Sequence, residues 1–315
     1  MTQLTRSITK DEVAIYHRAG VVLLRDILPQ KAINALRRSI DEAIRSISES
    51  PSGYDLSSLT RAVEAGDWTV TGDQHKIAGM LELLKASGKP LLLDETENTS
   101  GRFLVDTGIA ARLKEFRQFS LRGPGPEVAA ALLNSNNINF HGDQIFIKEA
   151  NTRERTAFHQ DATYLEIEGD QCCVLWIPVD PATFENGTML YVRGSHRDTK
   201  LYQPNVLVAQ TPLPGARGDL LPDIEGHMDD FDIVYFDVEP GDILAHHYRT
   251  IHGAGGNHSR YQVRRAASLR YCGDDVRFQT RPWAPRELHH TRRLNDGDPL
   301  HGPDFPVVWR RDLAA

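Results

Sequence analysis

The sequence predicts a mainly β protein in which an antiparallel barrel or sandwich is wrapped by N-terminal helices. Helix-period apolar spacing dominates the first 135 residues, and from Ile138 onward the pattern changes to short period-two runs divided by turns. No composition shift along the 315 residues forces a second folding unit. The expected organisation is one domain, with a helical wrap over 8–135, a β core over 138–280 and a C-terminal tail over 281–315.

Taken in order, Thr9 to Glu12 spells the capping box T-x-x-E, and Val13, Tyr16 and His17 suit a short helix stopped by Gly20. Val21 to Leu24 reads as a strand. After Pro29, an amphipathic helix places Ile33, Leu36, Ile40 and Ile44 on one stripe, and the Ser-rich stretch Ser46 to Ser58 reads as a loop. Helical patterns recur over Met80 to Lys85, over Ile109 to Phe119 and, after the breaker at Gly123 to Pro126, over Val128 to Leu133. The β runs are Gln144 to Lys148, Cys172 to Val179, Thr188 to Val192, Phe231 to Val238, Asp242 to Tyr248 and Val263 to Cys272.

Hydrophobic residues make up 40% and charged residues 25%, which places the chain among globular proteins rather than disordered or fibrous ones. A net charge of −7 offers no broad basic surface, so nucleic acid is not expected as a partner. No apolar run reaches signal-peptide or membrane-span length, and the expectation is a soluble, cytoplasmic chain with no membrane partner. Three cysteines, two of them adjacent, read as reduced core thiols instead of a disulfide framework.

The most informative string is FHQDATY, Phe158 to Tyr164, which contains H-x-D at His159 and Asp161. On a strand, residues two apart share a face, so an imidazole and a carboxylate would project together. A third ligand must return from a distant strand. The candidate is His252, within Gly241 to Asn257, where the glycines that follow allow tight backbone geometry beside a ligand. Two histidines and one carboxylate on one face of an octahedral ion leave three positions open, the arrangement of non-haem Fe(II) oxygenases. Those positions suit the bidentate co-substrate 2-oxoglutarate, whose distal carboxylate wants a planar, permanently charged fork. Arg264, on the strand after the last histidine, is placed to supply it. Alternation sets Arg264, Ala266 and Ser268 on one face, and Arg265, Ala267 and Leu269 on the other.

FHQDATY, NGTMLYVRGSH, GDILAHHYRTIHGAGGN and RRAASLRY, with ITKDEVAIYHRAGVVLLRDIL near the N-terminus, together resemble the phytanoyl-CoA dioxygenase family of Fe(II)- and 2-oxoglutarate-dependent oxygenases over residues 8–272. The resemblance implies a double-stranded β-helix, the jelly-roll or cupin-like core, with His159, Asp161 and His252 on iron. It further implies Arg264 on the distal carboxylate, with Gln144, Gln160 and Trp176 lining the co-substrate pocket. The reaction it implies consumes O2 and 2-oxoglutarate, releases succinate and CO2, and hydroxylates an unactivated C–H bond of a small-molecule metabolite. The interval from His252 to Arg264 is one residue longer than the family's commonest spacing, which keeps Arg265 open as the carboxylate partner.

Other residues carry weaker signals. Lys148 shares a face with Gln144 and either meets a carboxylate or ends its strand in solvent. Strand parity allows at most one of His246 and His247 onto the face of the site. HHTRRL, His289 to Leu294, reads as a solvated tail, and Gly253 to Gly256 lacks any phosphate-loop pattern. Phe103, Phe158, Tyr164 and Trp176 are candidates for an apolar substrate lining, and Arg102, Arg122 or Arg197 for receiving an anionic group. Two rival functions use the same barrel: a zinc-dependent hydrolase or isomerase, which has no need of Arg264, and a non-catalytic ligand-binding protein. The pattern leaves open the primary substrate, the oligomeric state, and hydroxylation versus desaturation, ring closure or epimerisation, which begin with the same hydrogen abstraction.

Overall fold

The computed structural model of the chain describes residues 3–69, 75–96, 99–285, 287–291 and 294–313. The capping box forms as its chemistry dictates: at the start of α1 (Lys10–Ala19), Glu12 N donates to the Thr9 hydroxyl and Thr9 N donates to the Glu12 carboxylate. Gly20 ends the helix at φ 76°, a left-handed conformation that a residue without Cβ adopts freely, and the chain enters β1 (Val21–Leu24). In α2 (Gln30–Arg45) the predicted stripe is the buried face, with Ile33, Leu36 and Ile40 inaccessible to water.

The Ser-rich stretch is more ordered than its composition indicates. It holds a 3-10 turn (Ile47–Glu49), the strand β2 (Tyr54–Asp55) and the first turn of α3 (Leu56–Glu64). Serine competes with helix and strand through local hydrogen bonds, but here long-range partners capture it. Ser50 Oγ donates to the buried Asp106 carboxylate, and Ser57 Oγ accepts from Phe103 N.

Next come α4 (His75–Ser87), β3 (Phe103–Thr107), α5 (Ile109–Arg112), α6 (Lys114–Arg122) and α7 (Gly125–Leu133). The helical run from Ile109 is broken by Leu113 in an extended conformation. The last helix begins inside the Gly123–Pro126 breaker, because proline is tolerated in a first turn whose N–H groups have no intrahelical partner.

The remaining strands are β4 (Asn137–Lys148), β5 (Thr156–His159), β6 (Ile167–Glu168), β7 (Cys172–Pro178), β8 (Met189–Val192), β9 (Ile233–Tyr235), β10 (Ile243–His247), β11 (His252–Ala254), β12 (Arg264–Cys272), β13 (Arg277–Phe278) and β14 (Val307–Arg310). They form a large sheet in the order β1-β10-β7-β12-β4-β3-β2, with β14 also on β4, and a small sheet in the order β5-β11-β8-β9. Side chains from both sheets line one cavity, the geometry of a double-stranded β-helix.

The outer face of the large sheet is covered by helices. Ile33 and Leu36 of α2, Phe116 and Phe119 of α6, and Val128 of α7 pack in one cluster with Ile145, Leu175, Ala267 and Leu269. Each of the larger side chains among them, fully buried, contributes about 1.5–3 kcal/mol. With that face sealed, the inner face is free to carry polar groups.

The C-terminal tail is not merely solvated. Leu300 and Phe305 are buried, β14 adds to the large sheet, and the Arg281 guanidinium donates to Leu165 O and Ile167 O. Within the HHTRRL run, His290 reaches the cavity lining, whereas Arg292 and Arg293 lie outside the described residues. All three cysteines are buried and free, with Cys172 and Cys272 opposite each other on β7 and β12, Sγ atoms 3.7 Å apart. Among the described residues no helix is long and apolar enough to cross a membrane.

Gly20 ties the wrap to the core: its carbonyl accepts from His247 N and from Thr250 Oγ1. A Cβ there would lie 2.4 Å from His196 Nδ1 and 2.6 Å from Thr250 Oγ1. Gly20→Ala is therefore expected to destabilise the fold by about 1–3 kcal/mol, read as a lowered urea midpoint. An unchanged midpoint would contradict this packing.

Candidate metal centre

Antiparallel pairing of β5 with β11 sets His159 directly opposite His252, ring centroids 4.3 Å apart, and β8 places Tyr191 on the other side of His252. Asp161 does not share their strand geometry. β5 ends at His159, and Asp161 opens a single 3-10 turn, so the same-face argument from strand alternation does not apply to it. The turn nonetheless returns the carboxylate to the histidines, Oδ1 3.8 Å from His159 Nε2. One ligand atom from each of His159, Asp161 and His252 falls within 4.8 Å of the others, and all three residues are buried.

The backbone orients both rings. His159 Nδ1 lies 2.8 Å from Ala157 O and His252 Nδ1 lies 2.9 Å from Thr250 O. A carbonyl only accepts, so each Nδ1 carries the proton and each Nε2 keeps a lone pair for the centre. Burial pushes both imidazoles down to about 4, which keeps them neutral donors at physiological pH. Burial alone would raise the Asp161 carboxyl. His246, His252 and Arg270 outweigh it and hold the group well below the usual carboxylate range. Two neutral imidazoles and one ionised carboxylate suit a divalent cation, and these residues fit iron.

His246 supports the carboxylate. Its Nε2 approaches Asp161 Oδ2 at 3.5 Å, and its Nδ1 lies 3.3 Å from the Tyr191 hydroxyl. Of the two neighbouring histidines it is the one on the site's face. His247 turns away to Asp170 O.

Farther along β12, Arg264 is 2% exposed, with Cζ 5.7 Å from the Trp176 ring. Its Nη1 donates to Phe146 O at 3.3 Å, while its Nε and the Trp176 Nε1 are buried without partners among the described residues. Burial lowers this guanidinium to about 10, so it remains cationic at neutral pH. A buried cation with unpaired donors is costly unless a carboxylate meets it, and these residues therefore fit an anionic co-substrate. Arg265 faces the helices instead, in ion pairs with Asp180 at 2.7 Å and with Asp41. Ser268, Trp176 and Gln144 line the cavity alongside Arg264.

Two expected pocket residues are engaged elsewhere. Gln160 Nε2 donates to Arg249 O and its Oε1 accepts from Tyr202 N, so the side chain staples a loop. Lys148 is fully buried, donates to Glu154 O and Gly255 O, and sits 4.5 Å from the Phe103 ring. It is paired across the sheet with Arg264, and a second cation there is better held by carbonyls away from that guanidinium. Neither solvent nor a carboxylate receives it.

Among the candidate substrate contacts, Tyr164 and Trp176 line the cavity. Phe103 and Phe158 fill packing clusters, Arg102 pairs with Glu149, and Arg122 and Arg197 are exposed. The cavity, about 780 Å3, also takes in His141, Arg270, and Met80 and Leu83 of α4. Arg270 was readable, since it continues the alternation of Arg264, Ala266 and Ser268. The α4 contribution had no sequence signal beyond a helical pattern.

The family model for phytanoyl-CoA dioxygenase (PhyH) matches residues 16–266. A curated phytanoyl-CoA dioxygenase of Arabidopsis thaliana is 23% identical over 274 residues, covering 86% of this chain and 91% of that protein. Among solved structures, the non-haem alpha-ketoglutarate-dependent carbocyclase SnoK from nogalamycin biosynthesis aligns with a TM-score of 0.63 and 21% identity, covering 98% of this chain and 100% of SnoK. The epimerase SnoN in complex with Fe3+, alpha-ketoglutarate and nogalamycin RO gives a TM-score of 0.60 at 17% identity, covering 95% of this chain and 98% of SnoN. These structural likenesses bear on the fold.

Asp161→Ala and His252→Ala are each expected to abolish stoichiometric binding of Co(II), used as a spectroscopic divalent probe, while far-UV circular dichroism stays that of the parent. The sheets are held by apolar burial and not by the metal. Full Co(II) loading of either variant would sink the assignment of that residue as a ligand.

Proposed function

The chain belongs to the phytanoyl-CoA dioxygenase family and is an oxygenase dependent on Fe(II) and 2-oxoglutarate; we propose that it hydroxylates an unactivated C–H bond of a small-molecule metabolite. The observation that carries this reading is a two-histidine, one-carboxylate donor set sharing a cavity with a buried arginine that has unspent donors. A zinc hydrolase would give Arg264 no task. When bound, iron and 2-oxoglutarate supply the activation of O2 and the removal of hydrogen from substrate, so that R–H, 2-oxoglutarate and O2 become R–OH, succinate and CO2.

In this reading His159 Nε2, His252 Nε2 and an Asp161 oxygen would hold the metal. His246 Nε2 faces the second Asp161 oxygen at 3.5 Å. Arg264 receives the distal carboxylate of 2-oxoglutarate, with the Trp176 indole N–H and the Ser268 hydroxyl on the same wall. Phe146, Trp176 and Met189 exclude water there, which strengthens the ion pair. Ala266, opposite Phe146 on β4 and next to Arg264 on the same face, is small enough to leave room for the co-substrate chain.

Anaerobic titration of the Fe(II)-loaded protein with 2-oxoglutarate, followed through the visible charge-transfer band of the chelate, tests both the class and the residues. Removing one partner of a buried, hydrogen-bonded charge pair costs about 2–5 kcal/mol, so Arg264→Ala should weaken 2-oxoglutarate by roughly 30-fold to several thousand-fold. Arg264→Lys should recover part of this, because an ammonium lacks the bidentate fork. Arg265→Ala should leave the Kd nearly unchanged and reduce stability, since it breaks the pairs with Asp180 and Asp41. A large affinity loss in Arg265→Ala with none in Arg264→Ala would overturn the assignment, and oxygen-independent turnover with zinc would overturn the class.

A further inference from the structure

β12 carries a second cavity-facing arginine that, beyond the electrostatic support it lends the Asp161 carboxylate, has no role as a ligand to iron or to 2-oxoglutarate in this reading. Arg270 lies two residues beyond Ser268 on the same face and is 8% exposed. Its Nη2 donates to Gln144 Oε1 at 2.7 Å, its Nε is buried without a partner, and among the described residues it makes no ion pair, although Glu287 lines the same cavity. Six residues of strand separate it from Arg264, about 20 Å along the backbone, so the two forks serve different groups. Counted as formal charges, iron, the Asp161 carboxylate, the dianionic co-substrate and Arg264 balance one another. Arg270 adds a further buried cation beside the loaded centre; Asp143, whose carboxylate accepts from Ile109 N and Ala110 N, lies within its electrostatic reach and Glu287 shares the cavity, but neither makes an ion pair with it among the described residues, which leaves its fork open to another anion.

The cavity wall around it is divided by chemistry. Near Arg270 stand Gln144 and the buried, neutral ring of His141, whereas Met80 and Leu83 of α4, with Leu207 and Leu213, supply an apolar wall. Resting on the oxygenase reading of this cavity, we infer that Arg270, held in place by Gln144, receives a carboxylate of the primary substrate, whose class is therefore an organic acid with an apolar body. A single guanidinium charge with one nitrogen held by Gln144 matches a monoanionic, planar carboxylate better than a phosphate ester of higher charge.

The test uses protein loaded with Fe(II) and 2-oxoglutarate without oxygen, offered a panel of matched pairs in which a carboxylic acid and its primary amide share a straight-chain, branched or aromatic body. Perturbation of the charge-transfer band and the thermal shift report binding. The expected result is at least one acid bound about tenfold or more tighter than its amide. That preference should be lost in Arg270→Met, be partly kept in Arg270→Lys, and be lost in Gln144→Glu, which gives Arg270 a partner from the chain itself. The 2-oxoglutarate Kd of Arg270→Met should stay at the parent value. The inference is overturned if no acid is preferred over its amide, if the preference survives Arg270→Met, or if Arg270→Met loses the 2-oxoglutarate band instead. Absence of the band in the parent protein strikes the oxygenase reading. In that case the same acid and amide pairs, read by thermal shift on metal-free protein with Arg264→Met as control, still decide the role of Arg270.

Discussion

The pairing of β5 with β11 is the constraint on which the rest of the centre depends. It puts two imidazoles across from each other between two sheets, and each is fixed from behind by a carbonyl of its own chain two residues earlier. A ring so held cannot turn its Nδ1 to a metal, so Nε2 is the donor and the centre's position is decided by backbone geometry. Asp161 then needs only the short turn after β5 to complete the set.

Around that centre the interior is unusually rich in charge for a buried space. Lys148, Arg264 and Arg270 all lie on the inner strands of the large sheet, and each resolves its burial differently. Among the described residues, Lys148 is satisfied by backbone carbonyls, Arg264 gives Nη1 to Phe146 O and keeps Nε without a partner, and Arg270 gives Nη2 to Gln144. The tight helix-covered face on the other side of the sheet makes this tolerable, because apolar burial there holds the strands without help from the polar interior. The inner face is in this sense reserved for ligands.

Local chemistry made much of the fold legible. The T-x-x-E box, the stripe of α2 and the alternation of β12 were correctly read because each depends on neighbours within a few residues. The Ser-rich stretch was misread because its serines are held by Asp106 and by the backbone of Phe103, partners some 46 to 56 residues away. The packing of the tail carried no sequence signal for the same reason, since Leu300 and Phe305 are weak signals until the cluster they complete exists.

For the candidate site, the sequence by itself determined which imidazole and carboxylate groups were available, their order along the chain and the parity that sends Arg264 inward and Arg265 outward, because these follow from residue identity and the two-residue repeat of a strand. Only the tertiary structure decided that Asp161 arrives by a turn and not a strand, that Lys148 and Gln160 are spent on carbonyls and loop contacts, and that His246 and Arg270 join the centre. The physical reason is that a donor's fate depends on which acceptor lies within about 3 Å of it, and acceptors from distant segments are brought that close only when the sheets close on one another.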